Sequence, residues 1–226
     1  MTHDPATAIE RSWIANAQAW TAAVREGRIE SRRLATDRAI VDAVLACQPR
    51  RVLDVGCGEG WLCRALAQHG VKTFGIDASA PLIEAARALG GDGHAVCGYA
   101  GLIDEPLRFG RFDAVACNFA LLEERIEPLL MALRTVLSPE GSLLTQTVHP
   151  WAACGDAPYA DGWRNETFAA FGDAFTAEMP WYFRTLESWC EVLVRCGYAI
   201  ASLREPVHPG TGRPLSLLLV AKWREV

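Results

Sequence analysis

From Arg51 onward the chain alternates short apolar runs with amphipathic ones, and this alternation restricts its fold more than any other feature. Arg51-Val52-Leu53-Asp54-Val55 is a short apolar run closed by Gly56, which reads as a buried strand. Trp61 to His69 follows as a helix, with Leu62, Ala65 and Leu66 on one face and Gly70 as its stop. Lys72 to Ile76 is a second strand. Ser79 caps a helix through Leu89 that Gly90-Gly91 ends. Ala95 to Cys97 is a third strand and Phe112 to Cys117 a fourth. Glu127 to Leu137 is a helix closed by the turn Ser138-Pro139-Glu140-Gly141, and Ser142 to Val148 is a fifth strand. A helix from Thr185 to Cys196, stopped by Gly197, precedes two strands, Ala199 to Arg204 and Ser216 to Trp223. These read as an antiparallel pair joined by the loop Pro206 to Pro214. Such alternation predicts a mostly parallel sheet with helices on both faces. Ligands of such sheets sit beyond the carboxyl ends of the strands, where the strand order switches.

Two segments fall outside the alternation. The first, Ala6 to Arg28, places Ile9, Trp13, Ala17, Trp20 and Val24 three and four residues apart, one apolar stripe on a helix. A second helix follows from Asp37 to Cys47, with Asp37 as N-cap and Pro49 just beyond its end. The other segment is the long connection from Pro150 to Arg184. Ten of the chain's twenty aromatic residues lie between Trp151 and Trp189. Long connections in compact domains are usually lids or binding loops, and an aromatic one needs something apolar to cover. A satellite core under a structural excursion is the alternative reading. The expected organisation is one domain over residues 1–226, with 1–36 an N-terminal helical cap and 150–184 a lid insertion.

Bulk properties exclude several classes. A net charge of -5 lacks the basic footprint of a nucleic-acid binder. No apolar stretch reaches the roughly 18 residues needed to span a bilayer. Met1-Thr2-His3-Asp4-Pro5 has no basic region followed by an apolar run, so no signal peptide is expected. The eight cysteines include no C-x-x-C pair. They read as reduced core residues of a cytoplasmic protein without a metal site.

The stretch Val52-Leu53-Asp54-Val55-Gly56-Cys57-Gly58-Glu59-Gly60-Trp61 carries the chemistry. A strand runs into a glycine turn that opens a helix. Gly56 and Gly58 let the backbone bend sharply and approach a ligand closely. The spacing is G-x-G-x-G. In a dinucleotide-binding G-x-G-x-x-G the third glycine would stand at position 61, where the bulky Trp61 is found instead. No Gly-Lys-Ser/Thr follows, so a P-loop fails too. Asp54, inside the strand, is a carboxylate that a cationic ligand or backbone donors would have to relieve. Asp77, ending the second strand, is placed to accept both hydroxyls of a ribose. Capping its helix is the alternative role, which Ser79 can already fill.

Residues 52–89, with Phe112-Asp113-Ala114-Val115-Ala116-Cys117-Asn118 and Leu137-Ser138-Pro139-Glu140-Gly141-Ser142-Leu143-Leu144, resemble the class I S-adenosylmethionine-dependent methyltransferases, over about residues 37–223. The likeness is nearest the ubiquinone-biosynthesis-like branch, whose members act on many small molecules. It implies an α/β, Rossmann-like, seven-stranded sheet with the last strand antiparallel. It also implies that S-adenosylmethionine is converted to S-adenosylhomocysteine as a methyl passes to a small-molecule oxygen or nitrogen. On this likeness Gly56, Cys57 and Gly58 line the methionine portion and Asp54 orients it. Asp77 holds the ribose and Ala78 borders the adenine. The family often has an acid after the third strand for the adenine amine. Tyr99 stands there instead, so Tyr99 stacking on the ring or the Ala100 backbone replaces that contact. Asn118 and Phe119 border the transferring methyl. They lack the Asn/Asp-Pro-Pro-aromatic run of relatives that methylate base or glutamine nitrogens.

Methyl transfer to a phenol or acid needs a proton acceptor. His149, just after the fifth strand, is the expected base, and His208 a second candidate on the substrate side. Tyr182 and Arg184, at the lid's end, are expected to orient the substrate, Arg184 through a carboxylate or phosphate. Trp13, Asn16, Trp20, Arg32 and Thr36 either close over the cofactor or belong to the core. Two other readings stand beside this one: a module that binds the cofactor without turnover, and an NAD-dependent oxidoreductase.

Overall fold

The structure is a computed structural model that describes residues 4–90 and 93–223. Met1-Thr2-His3 and Gly91 of the expected helix stop lie outside the described residues. Strands β1 (Arg51–Val55), β2 (Lys72–Asp77), β3 (His94–Val96), β4 (Phe112–Asn118), β5 (Leu137–Val148), β8 (Tyr198–Arg204) and β9 (Ser216–Trp223) form one sheet in the order β3-β2-β1-β4-β5-β9-β8. The pairs from β3 through β5 are parallel, and β9 runs antiparallel to both β5 and β8. Strand order reverses between β1 and β4, so the crevice beyond their carboxyl ends is where a ligand is expected.

Strand pleating sorts the core into two layers. Leu53, Val55, Val115, Cys117, Leu143 and Leu219 face one side, against α6 (Glu127–Val136) and α8 (Leu186–Arg195). Their neighbours Val52, Ala114, Ala116, Leu144 and Leu218 face the other side, against α2 (Asp37–Ala46) and α3 (Trp61–Ala67). The central strands are therefore apolar on both faces, as the unbroken apolar runs predict. Helices α4 (Ala80–Ala88) and α5 (Tyr99–Asp104) follow β2 and β3.

Three local expectations change. Asp37 does not cap α2. A π-helical turn, Arg32–Thr36, feeds straight into that helix, and the Asp37 carboxylate instead accepts from Arg32 Nε at 2.8 Å. The turn expected at Ser138–Gly141 is absorbed into β5, which starts at Leu137 opposite Phe112. A register shift between Phe112 and Ala114 and a positive φ of 63° at Glu140 take up the extra length. Ser79 occupies the N-cap position of α4, but its hydroxyl makes no cap bond.

The two segments outside the alternation meet each other. Helix α1 (Pro5–Arg25) packs against a hairpin of β6 (Gly162–Glu166) and β7 (Met179–Phe183), which follows a short helix α7 (Pro150–Cys154). Ile9, Phe168 and Met179 are buried there, with Trp13, Phe171, Phe175 and Trp181 packed around them. Asn16 stitches the contact. Its Nδ2 donates to the Ala177 carbonyl at 2.7 Å, and its Oδ1 accepts from Thr176 N at 2.9 Å. No helix among the described residues is long and apolar enough to cross a membrane.

Candidate functional site

The bend after β1 is held by the end of β2. The amides of Gly56 and Cys57 both donate to the Ile76 carbonyl, at 2.8 and 3.0 Å. Gly56 has φ +73°, and a Cβ there would stand 2.5 Å from that of Ala120. A side chain would thus close the bend against the loop after β4. Asp77 then ties the bend to α4, its Oδ2 accepting from Gly58 N at 2.9 Å and its Oδ1 from Ser79 N at 2.8 Å. Burial pushes the Asp77 carboxyl above its usual range, and these two amides pull against that shift. Asp77 therefore does the structural work that sequence alone assigns to Ser79, and each oxygen keeps a lone pair for a further donor.

A cavity of about 860 Å³ opens at this bend. Of the ten residues expected to contact a cofactor, nine line it: Gly56, Cys57, Gly58, Asp77, Ala78, Tyr99, Ala100, Asn118 and Phe119. The tenth, Asp54, lies beneath the floor. It is buried, with Oδ2 accepting from the Cys63 thiol at 3.7 Å and Oδ1 without a partner among the described residues. Burial pushes its carboxyl up to about 7, the Cys63 contact and Arg32 pulling against that and Asp77 adding to it. The Tyr99 hydroxyl is already committed, donating to the Ala120 carbonyl in a very short contact, so only its ring is available to a ligand.

The cavity's far wall comes from α1 and the hairpin. Trp13, Trp20, Phe168, Phe171, Met179 and Trp181 line it, and Trp13 meets Trp20 edge-on with centroids 5.1 Å apart. Residues Arg164 and Glu166 of β6 and Met179 and Trp181 of β7 share the face turned to the cavity.

The four residues expected to handle the substrate do not line this cavity. Tyr182 sits one position out of phase with Trp181, so the pleat turns it to the opposite face, where it meets Trp163 at 5.4 Å. Arg184 is 4 % exposed and holds the chain after β4, donating to the carbonyls of Glu123 and Glu124 at 2.6 Å each. Its burial lowers the guanidinium's proton affinity. His149 is buried, with Nε2 on Glu205 Oε1 at 2.8 Å. His208 Nδ1 accepts from the amides of Gly210 and Thr211, closing its own loop. Each of the four is explained by a local structural contact.

The structure adds residues that sequence reasoning passed over or left open. Glu59, fully buried, accepts from Arg25 Nε at 2.9 Å and from Arg64 Nη2 at 2.7 Å. It fastens α1 to the glycine bend. Its place inside the glycine run was the available signal, since a charged residue there needs partners. Arg32 lines the cavity beside Trp61, its guanidinium 4.4 Å from the ring centroid. Glu123 also lines the cavity, with its carboxyl pushed up by burial and by the nearby Asp4. Among the described residues no group of three or more metal-ligating side chains is assembled.

This architecture matches known proteins. Residues 52–141, the bend and the strands on either side of it, match the family described as methyltransferase domain. The stretch that forms the bend is thus similar to a methyltransferase domain. The ubiquinone biosynthesis O-methyltransferase of Xanthomonas campestris pv. campestris is 35 % identical over 114 residues, 48 % of this chain and 47 % of that protein. The chain thus spans about half the length of the curated relatives it matches. A solved S-adenosylmethionine dependent methyltransferase from Mesorhizobium loti is 25 % identical, with a TM-score of 0.58 over 76 % of this chain and 90 % of that one. The DhpI–SAH complex is 18 % identical, with a TM-score of 0.67 over the whole of both chains, a likeness of fold that includes the segments around the methyltransferase domain's sheet.

Proposed function

We propose that this protein transfers a methyl group from S-adenosylmethionine to an oxygen or nitrogen of a small molecule. The observation that carries the reading is that the glycine bend and the Asp77 carboxylate open on the same cavity as Asn118 and the aromatic wall. The residues present fit the cofactor. A bend that any Cβ at Gly56 would close suits a ligand lying against bare backbone. Beneath it, Asp54 keeps an unpartnered carboxylate oxygen that an ammonium above the floor would compensate. In this reading Gly56, Cys57 and Gly58 flank the methionine portion, Arg32 takes its carboxylate, and Asp77 takes the ribose hydroxyls. Ala78, the Tyr99 ring and Ala100 enclose the adenine. When bound, the cofactor supplies a methyl carbon already activated on a sulfonium.

What remains for the protein is alignment and the exclusion of water, which can contribute on the order of 7–11 kcal/mol in favourable cases. The 150–184 insertion acts as the lid of a single domain, and its ring faces suit a positive charge. Where the acceptor must lose a proton, Glu123 lines the cavity with no side-chain hydrogen bond among the described residues, and its raised proton affinity fits that task. The net charge of -5 and the 860 Å³ cavity favour a small metabolite over a nucleic acid. The unpaired cysteines fit a reducing cytoplasm.

Titration calorimetry with S-adenosylhomocysteine tests the cofactor, and incubation of labelled S-adenosylmethionine with fractionated metabolites tests turnover. We expect micromolar binding and label in a small-molecule fraction. Binding of NADH with none of S-adenosylhomocysteine overturns the reading.

A further inference from the structure

The methyltransferase reading assigns Asn118 to the cavity wall without saying which end of its amide faces the ligand. The buried network behind it decides this. Asn118 and Gln146 are register partners on β4 and β5. Gln146 is 1 % exposed. Its Nε2 donates to the Thr36 carbonyl at 3.0 Å and to Asn118 Oδ1 at 2.8 Å, and its Oε1 faces the Ser216 hydroxyl at 3.2 Å. A hydroxyl can either donate or accept, so Ser216 tolerates both orientations of the Gln146 amide. The Thr36 carbonyl does not, because it can only accept. Turning the Gln146 amide over would set two acceptors face to face in a buried site. With Nε2 so fixed, its second N–H requires an oxygen on Asn118, and turning Asn118 over would set two NH₂ groups against each other. One backbone carbonyl, in the π-helical turn that leads into α2, thereby settles the orientation of both amides. Asn118 Nδ2 makes no hydrogen bond among the described residues and is not closed off from the cavity.

We propose that Gln146 is a positioning residue: held by the Thr36 carbonyl, it turns the Asn118 NH₂ into the cavity, so that the ligand group beside Asn118 is one that offers a lone pair. Carbonyl, carboxylate and phenolic oxygens satisfy that donor, whereas an ammonium placed there would leave donor facing donor. The inference rests on the cavity being the methyl-transfer site, but the orientation itself does not depend on turnover.

Solvent exchange of side-chain amide protons in the full-length, nitrogen-labelled protein, measured with S-adenosylhomocysteine added, tests it. In the wild type the Asn118 NH₂ pair exchanges at least tenfold faster than the Gln146 pair, and its resonances move when S-adenosylhomocysteine fills the cavity. In Gln146→Glu the introduced carboxyl has, in either protonation state, at most one donor for two acceptors. Asn118 then turns over and its pair slows at least tenfold. Asn118→Asp keeps an acceptor opposite Gln146, so the Gln146 pair stays protected; this variant serves where Gln146→Glu does not fold. An Asn118 pair as slow as that of Gln146 in the wild type, an Asn118 pair unmoved by Gln146→Glu, or a Gln146 pair that loses protection in Asn118→Asp overturns the proposal. Failure of S-adenosylhomocysteine to bind the wild type in calorimetry would instead sink the methyltransferase reading and leave the exchange rates to judge the amide orientation alone.

Discussion

The two walls of the cavity are built in opposite ways. The wall at the ends of β1, β2 and β3 is mostly backbone: glycines at positive φ, amides held by Asp77 and by the Ile76 carbonyl, and small residues such as Ala78 and Ala100. The wall from α1 and the hairpin is side chain, above all indole and phenyl rings. The first can hold one shape because its atoms are fixed by the sheet. The second depends on contacts between segments some 160 residues apart, such as Asn16 to Thr176. A rigid cradle suits a constant cofactor, and a replaceable aromatic face suits an acceptor that differs from one enzyme to the next.

This contrast predicts a ranking of effects. On cofactor affinity the largest belongs to Gly56→Val, which adds a side chain where even a Cβ would stand 2.5 Å from that of Ala120 at positive φ. S-adenosylhomocysteine affinity should fall by at least about 100-fold, roughly 3 kcal/mol. Near-normal calorimetric affinity would show that the bend is not a cradle. Next is Asp54→Asn. Its carboxyl sits at about 7 in the folded protein against a usual value of 3.8, so the native state binds the extra proton between those limits. Stability should therefore fall as pH rises through that window, by up to about 4 kcal/mol if the group acted alone. The variant should flatten this slope and be more stable above pH 7 in urea titrations; an unchanged slope refutes the assignment. Asp77→Ala should weaken S-adenosylhomocysteine by about 1–3 kcal/mol, and calorimetry that shows no change removes Asp77 from the site. On the aromatic side, Asn16→Ala should cost about 1 kcal/mol of stability and speed proteolysis within 150–184 while leaving cofactor affinity within about twofold. A large loss of affinity would mean that the two walls are not separable. Smallest of all, His149→Ala should leave S-adenosylhomocysteine binding unaltered, and a weakened complex would return His149 to the site.

Legibility followed the same division. The cradle could be read because strand, glycines and acid lie within one stretch of sequence, and the chemistry of each is local. The apolar runs Val52-Leu53 and Val115-Ala116 likewise announced strands buried on both faces. Asp37 and Ser79 misled because both are good caps by type, while a π-helical turn and the Asp77 carboxylate took over their roles. The candidates in and after the hairpin misled through a matter of phase. Nothing in the sequence fixes which alternate residues of β7 turn inward, and Tyr182 fell on the outer face beside the inner Trp181. His149 had the right residue type at the right strand end, but Glu205, 56 positions away, draws it aside. Glu59 was hidden for the same reason, since its partners Arg25 and Arg64 come from two different helices.

The late strand β9 has a further consequence. It lies between β5 and β8, so the apolar edge of β5, made by residue 148, has no partner until residues 216–223 have left the ribosome. Through that interval the nascent chain carries an open, sticky β-edge, the kind of surface that invites a chaperone or a neighbouring copy. The strands that hold the cradle, β1, β2 and β4, are all made well before that edge is closed.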